Sequence, residues 1–222
     1  MSRWTGLCGA ALATTVFLAP VIAMAATLTV TLDGVANGKA MPGQYAFCVL
    51  AQQGHVTLGS DKNPKVSWSG APKSTRSFAV IVVDPDVPSV PTDVNKEGKT
   101  IAKTLKRANF YHWVLVDIPA TVSGPAGLGL RGINDYTKWF AGDDAMKGDY
   151  GGYDGPCPPW NDTIVHHYHF KVYALDVPSL KLSGNFDGPQ ALKAMKGHTL
   201  AKGESVGTYV LNPALMKTGA GK

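Results

Sequence analysis

Three short stretches of the chain concentrate side chains able to hold a polar ligand or move a proton. The first is Asp84-Pro85-Asp86, and the second is Tyr111-His112-Trp113. The third is the run from Gly151 to Pro159, G-G-Y-D-G-P-C-P-P, followed closely by His166, His167, Tyr168 and His169. Imidazoles beside carboxylates suit metal ligation, acid–base catalysis or hydrogen-bonded capture of a ligand. The spacings lack a tight metal signature such as H-E-x-x-H, so no metal is expected. No serine has the strand-to-helix context of a nucleophile elbow. Cys157 beside a histidine is a candidate nucleophile, but it lies among prolines. With no cofactor loop either, the residues favour ligand binding without turnover. Two alternatives stay open: a hydrolase of small phosphate or carboxylic esters with histidine as general base, and a protein-interaction or inhibitor module.

The polar stretches sit at the ends of apolar runs that read as strands. Thr27 to Leu32, T-L-T-V-T-L, alternates strictly and predicts a half-buried strand. Shorter strands are expected over Tyr45 to Leu50 and Lys65 to Trp68. Ser77 to Val83, S-F-A-V-I-V-V, is apolar throughout and β-branched, as for a strand covered on both faces. It delivers Asp84 to its end, and the prolines at 85, 88 and 91 predict the loss of regular ladder pairing there. Phe110 to Ile118, Val165 to Leu175 and Val206 to Leu211 complete the strands. Residues 88–105 read as a long polar loop or short helix, and 124–155 as ordered glycine-rich loop. Pro189 to Met195 reads as one short helix. The expected fold is an all-β antiparallel sandwich with short peripheral helices.

Period-2 geometry puts His166 and Tyr168 on one face of their strand, and His167 and His169 on the other. The same rule puts His112 opposite both Tyr111 and Trp113. An inward histidine needs a partner, and Asp84 or Asp86 can supply it.

The N-terminus reads as a processing signal. Arg3 is followed by an uncharged apolar run from Leu7 to Ala23, then Ala23-Met24-Ala25, a small-x-small cleavage pattern. Residues 1–25 are expected to be cleaved and 26–222 to form one domain in the periplasm or outside the cell. No later stretch is apolar enough to span a membrane. The formal charge of the whole chain is +5; its basic residues are scattered, and no nucleic-acid footprint is evident. Cys48 and Cys157 survive processing, either as a disulfide or as two separate buried thiols.

Four segments in fixed order carry a resemblance. P-K-V-S-W-S-G-A-P (64–72), F-A-V-I-V-V-D-P-D-V-P-S (78–89), H-W-V-L-V-D-I-P-A (112–120), and G-Y-D-G-P-C-P-P (152–159) with H-H-Y-H-F-K-V-Y-A-L (166–175) resemble the phosphatidylethanolamine-binding protein family, in its bacterial Raf-kinase-inhibitor-like branch. The resemblance spans about residues 27 to 214. It implies a β-sandwich with a small cavity near one end, lined by Asp84, Asp86, His112, Pro156, His166 and Tyr168. The ligands implied are phosphate, acetate or a phospholipid head group such as phosphoethanolamine, with a protein partner also in view. On this reading the two histidines, the Tyr168 hydroxyl and backbone N–H groups of the Gly-Pro loop hold an anion, while Asp84 and Asp86 orient the histidines. Val87 departs from the alanine common in D-P-D-A-P. The long polar segment that follows carries Lys96, Lys99, Lys103, Lys106 and Arg107, which either steer anions inward or form an ordinary solvated loop.

Overall fold

The computed structural model describes residues 1, 26–125 and 127–217. The expected signal and its cleavage point therefore lie outside the described residues, apart from Met1. The strands are β1 (Ala26–Thr27), β2 (Thr29–Leu32), β3 (Lys39–Ala40), β4 (Cys48–Leu50), β5 (Val56–Leu58), β6 (Val66–Ser69), β7 (Ser77–Pro88), β8 (Arg107–Pro119), β9 (Leu130–Arg131), β10 (His166–Leu175) and β11 (Thr199–Tyr209). Three short helices accompany them: α1 (Tyr136–Trp139), α2 (Gly188–Ala194) and α3 (Pro213–Lys217). The fold is thus sheet-dominated, as expected. Its main sheet follows the order β1-β11-β10-β7-β8-β9, with β3 also on β11. The long strands pair antiparallel, and the short β1 and β3 pair parallel to β11.

One face of this sheet packs through Phe78, Val80, Val82, Phe170 and Val172 onto the two-stranded β2–β6 sheet. The other buries Ala79, Ile81, Val114 and Val116 beneath α2 and the chain leading to it. Continuous burial of β7 from Ser77 to Asp84 follows from cover on both sides. Helix α2 begins where Asp187 caps the Gln190 N–H and the Gln190 side chain answers the Asp187 N–H, a capping box with Pro189 in the first turn.

Three expectations need correction. Pairing does not end at the first proline: β7 continues to Pro88, because a bulge between Asp84 and Val87 absorbs Pro85 and the ladder resumes at Val87 opposite Ala108. The last strand starts at Thr199, not Val206. Gly203 looks like a breaker, but a Cβ there would lie 2.1 Å from the Leu28 carbonyl oxygen, so glycine is needed for the close crossing of the first strands. Residues Gly43–Tyr45 form a 3-10 turn, which leaves only Cys48–Leu50 of the expected Tyr45–Leu50 strand.

A fourth correction bears on the site. Val82 and Val83 are adjacent on β7, yet face Trp113 and Tyr111 on β8, which leaves His112 as the extra residue of a bulge. Tyr111 and Trp113 consequently pack into opposite faces of the sheet. Strict alternation fails there because the bulge resets the period and re-aims the imidazole.

Candidate functional site

The ladder between β7 and β10 runs only as far as Val83 opposite His169. Beyond that pair the two strand ends part, and the His112 bulge of β8 lies beside them. Asp84, His112 and Tyr168 meet in the gap, each at most 3% exposed. They line a cavity of about 600 Å³. The rest of the wall is mostly apolar and includes Phe47, Phe110, Phe140 and Met146. The exposed lining residues include Leu58 at 59% and Trp139 at 45%, together with Thr57, Asn95 and Asp143, so a polar floor is joined to a wall that is largely apolar and has a mixed rim.

Each polar group at the floor is oriented from behind. The Nδ1–H of His112 is donated to the Asp154 carbonyl at 2.8 Å. Burial pushes the imidazole pKa down, so the ring is neutral at pH 7 and Nε2 carries its lone pair. The His112 and Tyr168 rings stand edge to face, with centroids 5.1 Å apart. The Tyr168 hydroxyl is fully buried and faces Asp84, the acceptor nearest to hand, at a geometry looser than a normal hydrogen bond. Burial, joined by the nearby Asp84 charge, raises its pKa well above the usual phenol value, so it remains a donor.

Asp84 belongs to a buried chain of charges. Its Oδ2 accepts from His166 Nδ1 at 2.6 Å, and His166 Nε2 lies 3.2 Å from Asp162 Oδ2. Arg107 closes the chain with a two-pronged contact to Asp162. Burial opposes the charged imidazole, but the Asp84 charge and the hydrogen bonds the ring donates to both carboxylates outweigh it and push His166 up to about 9. Burial would also raise Asp162; the hydrogen bonds from His166 and Arg107 hold it below the usual carboxylate range. The chain is neutral as a whole: two carboxylates, one imidazolium and one guanidinium.

A second carboxyl pair braces the Gly-Pro loop. Asp61 Oδ1 accepts the Gly155 N–H at 2.7 Å, and Asn134 donates to Asp154. Burial, with the charge of Asp154 added, lifts Asp61 to about 7, and burial raises Asp154 as well. The Tyr136 hydroxyl donates to the Gly155 carbonyl at 3.0 Å, and the Cys48 N–H to the Pro156 carbonyl at 3.1 Å. Cys48 and Cys157 are joined by a disulfide with an S–S distance of 2.02 Å, and both line the cavity. The bond withdraws the thiol weighed as a nucleophile.

The six residues expected at the site thus divide. Asp84, His112 and Tyr168 line the cavity, whereas Asp86, Pro156 and His166 do not. His166 stands behind Asp84. Asp86 turns outward, where its carboxylate accepts from the His167 N–H at 2.9 Å and meets His167 Nδ1 at 2.7 Å. It replaces a ladder bond at the point where β7 and β10 separate. Pro156 is a buried backing residue whose carbonyl serves Cys48. Arg107 is committed to Asp162 and unavailable for steering, while the lysines of residues 96–106 are exposed. Neither carboxylate partners His112; a backbone carbonyl does.

Sequence reasoning missed the aromatic wall. Tyr136, Trp139 and Phe140 lie in the glycine-rich stretch, whose composition masks their one-turn helix. It also missed Asp162, although the i, i+4 spacing to His166 was visible. The chain does contain one G-x-S-x-G string, Gly203-Glu204-Ser205-Val206-Gly207. Ser205 lies in mid-strand, buried and opposite Phe170, so it forms no nucleophile elbow. Among the described residues no group of three or more His, Cys, Asp or Glu side chains is placed to hold a metal, and no helix is long and apolar enough to cross a membrane.

Comparison with known proteins gives consistent similarities. The family model described as phosphatidylethanolamine-binding protein matches residues 31–210. The UPF0098 protein YbcL of Escherichia coli K12 is 32% identical over 190 residues, covering 84% of this chain and 90% of that one. A UPF0098 protein of Chlamydia muridarum is 31% identical over 186 residues, with coverage of 82% and 98%. The crystal structure of E. coli YbcL, described as a new member of the mammalian PEBP family, aligns with a TM-score of 0.60 at 26% identity, covering 85% of this chain and all (100%) of that one. The Chlamydia trachomatis homolog CT736 aligns with a TM-score of 0.57 at 28% identity, covering 82% and 97%.

Proposed function

The chain belongs to the phosphatidylethanolamine-binding protein family, and from that premise we propose that it is an exported protein that binds a small ligand without turning it over. The ligand has a compact polar head, of the class that includes phosphate and phosphoethanolamine, and an apolar segment. One observation carries this reading. Three buried polar groups, Asp84, His112 and Tyr168, converge at the floor of a cavity whose remaining wall is largely aromatic and aliphatic. Such a gradient suits an amphiphile that enters head first. Export is supported by the disulfide, a chemistry of oxidising compartments.

Calorimetry with phosphate, acetate and phosphoethanolamine, repeated on His112→Ala, tests the head-group site. Binding of at least one by the wild type and its loss in the variant is the expected result. A wild type that binds none, or a variant that binds equally well, refutes the assignment. The apolar wall is tested by lengthening an alkyl chain on the bound head. Each methylene buried contributes about 0.8 kcal/mol, or about fourfold in Kd.

A further inference from the structure

A second cavity opens where β6 of the small sheet faces β8 and β9 of the main one. It measures about 740 Å³ and shares no lining residue with the first. That size falls within the rough 300–1,000 Å³ range of small-molecule sites. Its floor is the rim of the core between the two sheets: Val66, Trp113, Leu115 and Tyr153, each at most 7% exposed. Tyr153 gives its hydroxyl to the Tyr45 carbonyl at 2.8 Å and so offers the cavity its ring. The loop after β8 is fastened beside this floor. The Trp68 N–H donates to the Ser123 carbonyl at 3.0 Å, and Gly124 is needed at the crossing, where a Cβ would lie 2.8 Å from the Val66 carbonyl oxygen.

The charges in this wall have the opposite sign from those of the first cavity. Lys65, just before β6, and Arg131, on β9 opposite Leu115, both line it, and no aspartate or glutamate does. Both cations are exposed, and neither enters an ion pair or a side-chain hydrogen bond among the described residues. Two uncompensated cations beside a low-dielectric floor focus a positive potential into the hollow. A bare inorganic ion would leave the apolar floor uncovered, and a neutral hydrocarbon would leave the cations to water.

We propose that this second cavity binds a small organic anion, whose ring-sized apolar body covers Trp113 and Leu115 and whose carboxylate, sulfonate or phosphate meets Lys65 and Arg131. The site is additional to the ligand cavity described above and does not depend on that reading.

Naphthalene-2-sulfonate and naphthalene-2-sulfonamide share one ring system and differ in charge at neutral pH. NMR titration of the purified protein with each, with Kd read from the Leu115 and Val66 methyl signals, reports on this cavity alone. The expected result is saturable binding of the sulfonate, at least tenfold tighter than that of the sulfonamide, with intermolecular NOEs from the naphthyl protons to Leu115. Lys65→Gln combined with Arg131→Gln, at two exposed positions, is expected to erase most of that preference while leaving the urea midpoint unchanged. The wild-type comparison of the two compounds stands without the variant. Equal affinity for both compounds, a double variant that keeps the preference, or the absence of NOEs to Leu115 overturns the proposal.

Discussion

His166 and Asp84 lie 82 positions apart in the chain and meet at 2.6 Å in the interior, with neither side chain more than 1% exposed. The contact joins the ends of two neighbouring strands where their ladder stops. It fixes the carboxylate that forms the cavity floor, and Asp162 and Arg107 neutralise what remains behind it.

That arrangement makes stability fall in alkali. His166 is raised in the folded state to about 9, above the 6.5 of a free imidazole. Its contribution is fully present below pH 6.5 and is lost as pH rises through about 9. NMR titration of the His166 ring is expected to show it still charged at pH 8, with thermal stability declining between pH 7 and 10. A ring that titrates below pH 7 contradicts the charge chain.

Removing Arg107 tests the same chain from its outer end. Arg107→Ala leaves the Asp162 carboxylate buried without its guanidinium, and breaking a buried pair in this way costs about 3–5 kcal/mol. Urea denaturation is the measurement. A loss below about 1 kcal/mol, the scale of an exposed pair, shows that the contact is not built as described.

Asp61 gives the opposite substitution result. Its carboxyl is raised from 3.8 to about 7 in the fold, so the wild type is penalised as pH rises from 4 to 7. Asp61→Asn keeps an oxygen for the Gly155 N–H and supplies an N–H toward Asp154. The variant is expected to gain thermal stability relative to the wild type over that pH range, most at pH 7 and above. A constant difference between the two proteins from pH 4 to 8 refutes the shift.

The disulfide closes a loop of 109 residues. In the chain-entropy model a loop of that length stabilises by about 5 kcal/mol. Reduction, or Cys48→Ala with Cys157→Ala, is expected to lower the urea midpoint accordingly. It should also weaken ligand binding, since both cysteines line the cavity. Unchanged midpoints under reducing and oxidising conditions contradict the prediction.

Much of the frame was legible because burial imposes it. The unbroken apolar run from Phe78 to Val83 required a covered central strand, and the alternation in His166–Leu175 correctly put His166 and Tyr168 inward and His167 outward. The failures at Pro85 and His112 share one cause: the sequence period holds only while the ladder is regular. At His112 and at Pro85 an extra residue shifts the register, and composition does not mark which residue will be extra. Asp86 has the same chemistry as Asp84 and differs only by facing the other side of that bulge. His112 found a backbone carbonyl as its partner, which no residue type announces. Gly203 misled in the reverse direction, since its role is a close crossing with Leu28 from the other end of the chain.

Ligand capture depends above all on the convergence of His112, Tyr168 and Asp84 on one molecule. NMR titration of the folded protein with phosphoethanolamine, following the His112 and Tyr168 ring signals, tests this most directly. Saturable shifts of both rings with a common Kd, and little change at His198, which meets Asp176 at the opposite end of β10, are predicted. Shifts confined to other parts of the molecule, or different Kd values for the two rings, contradict it.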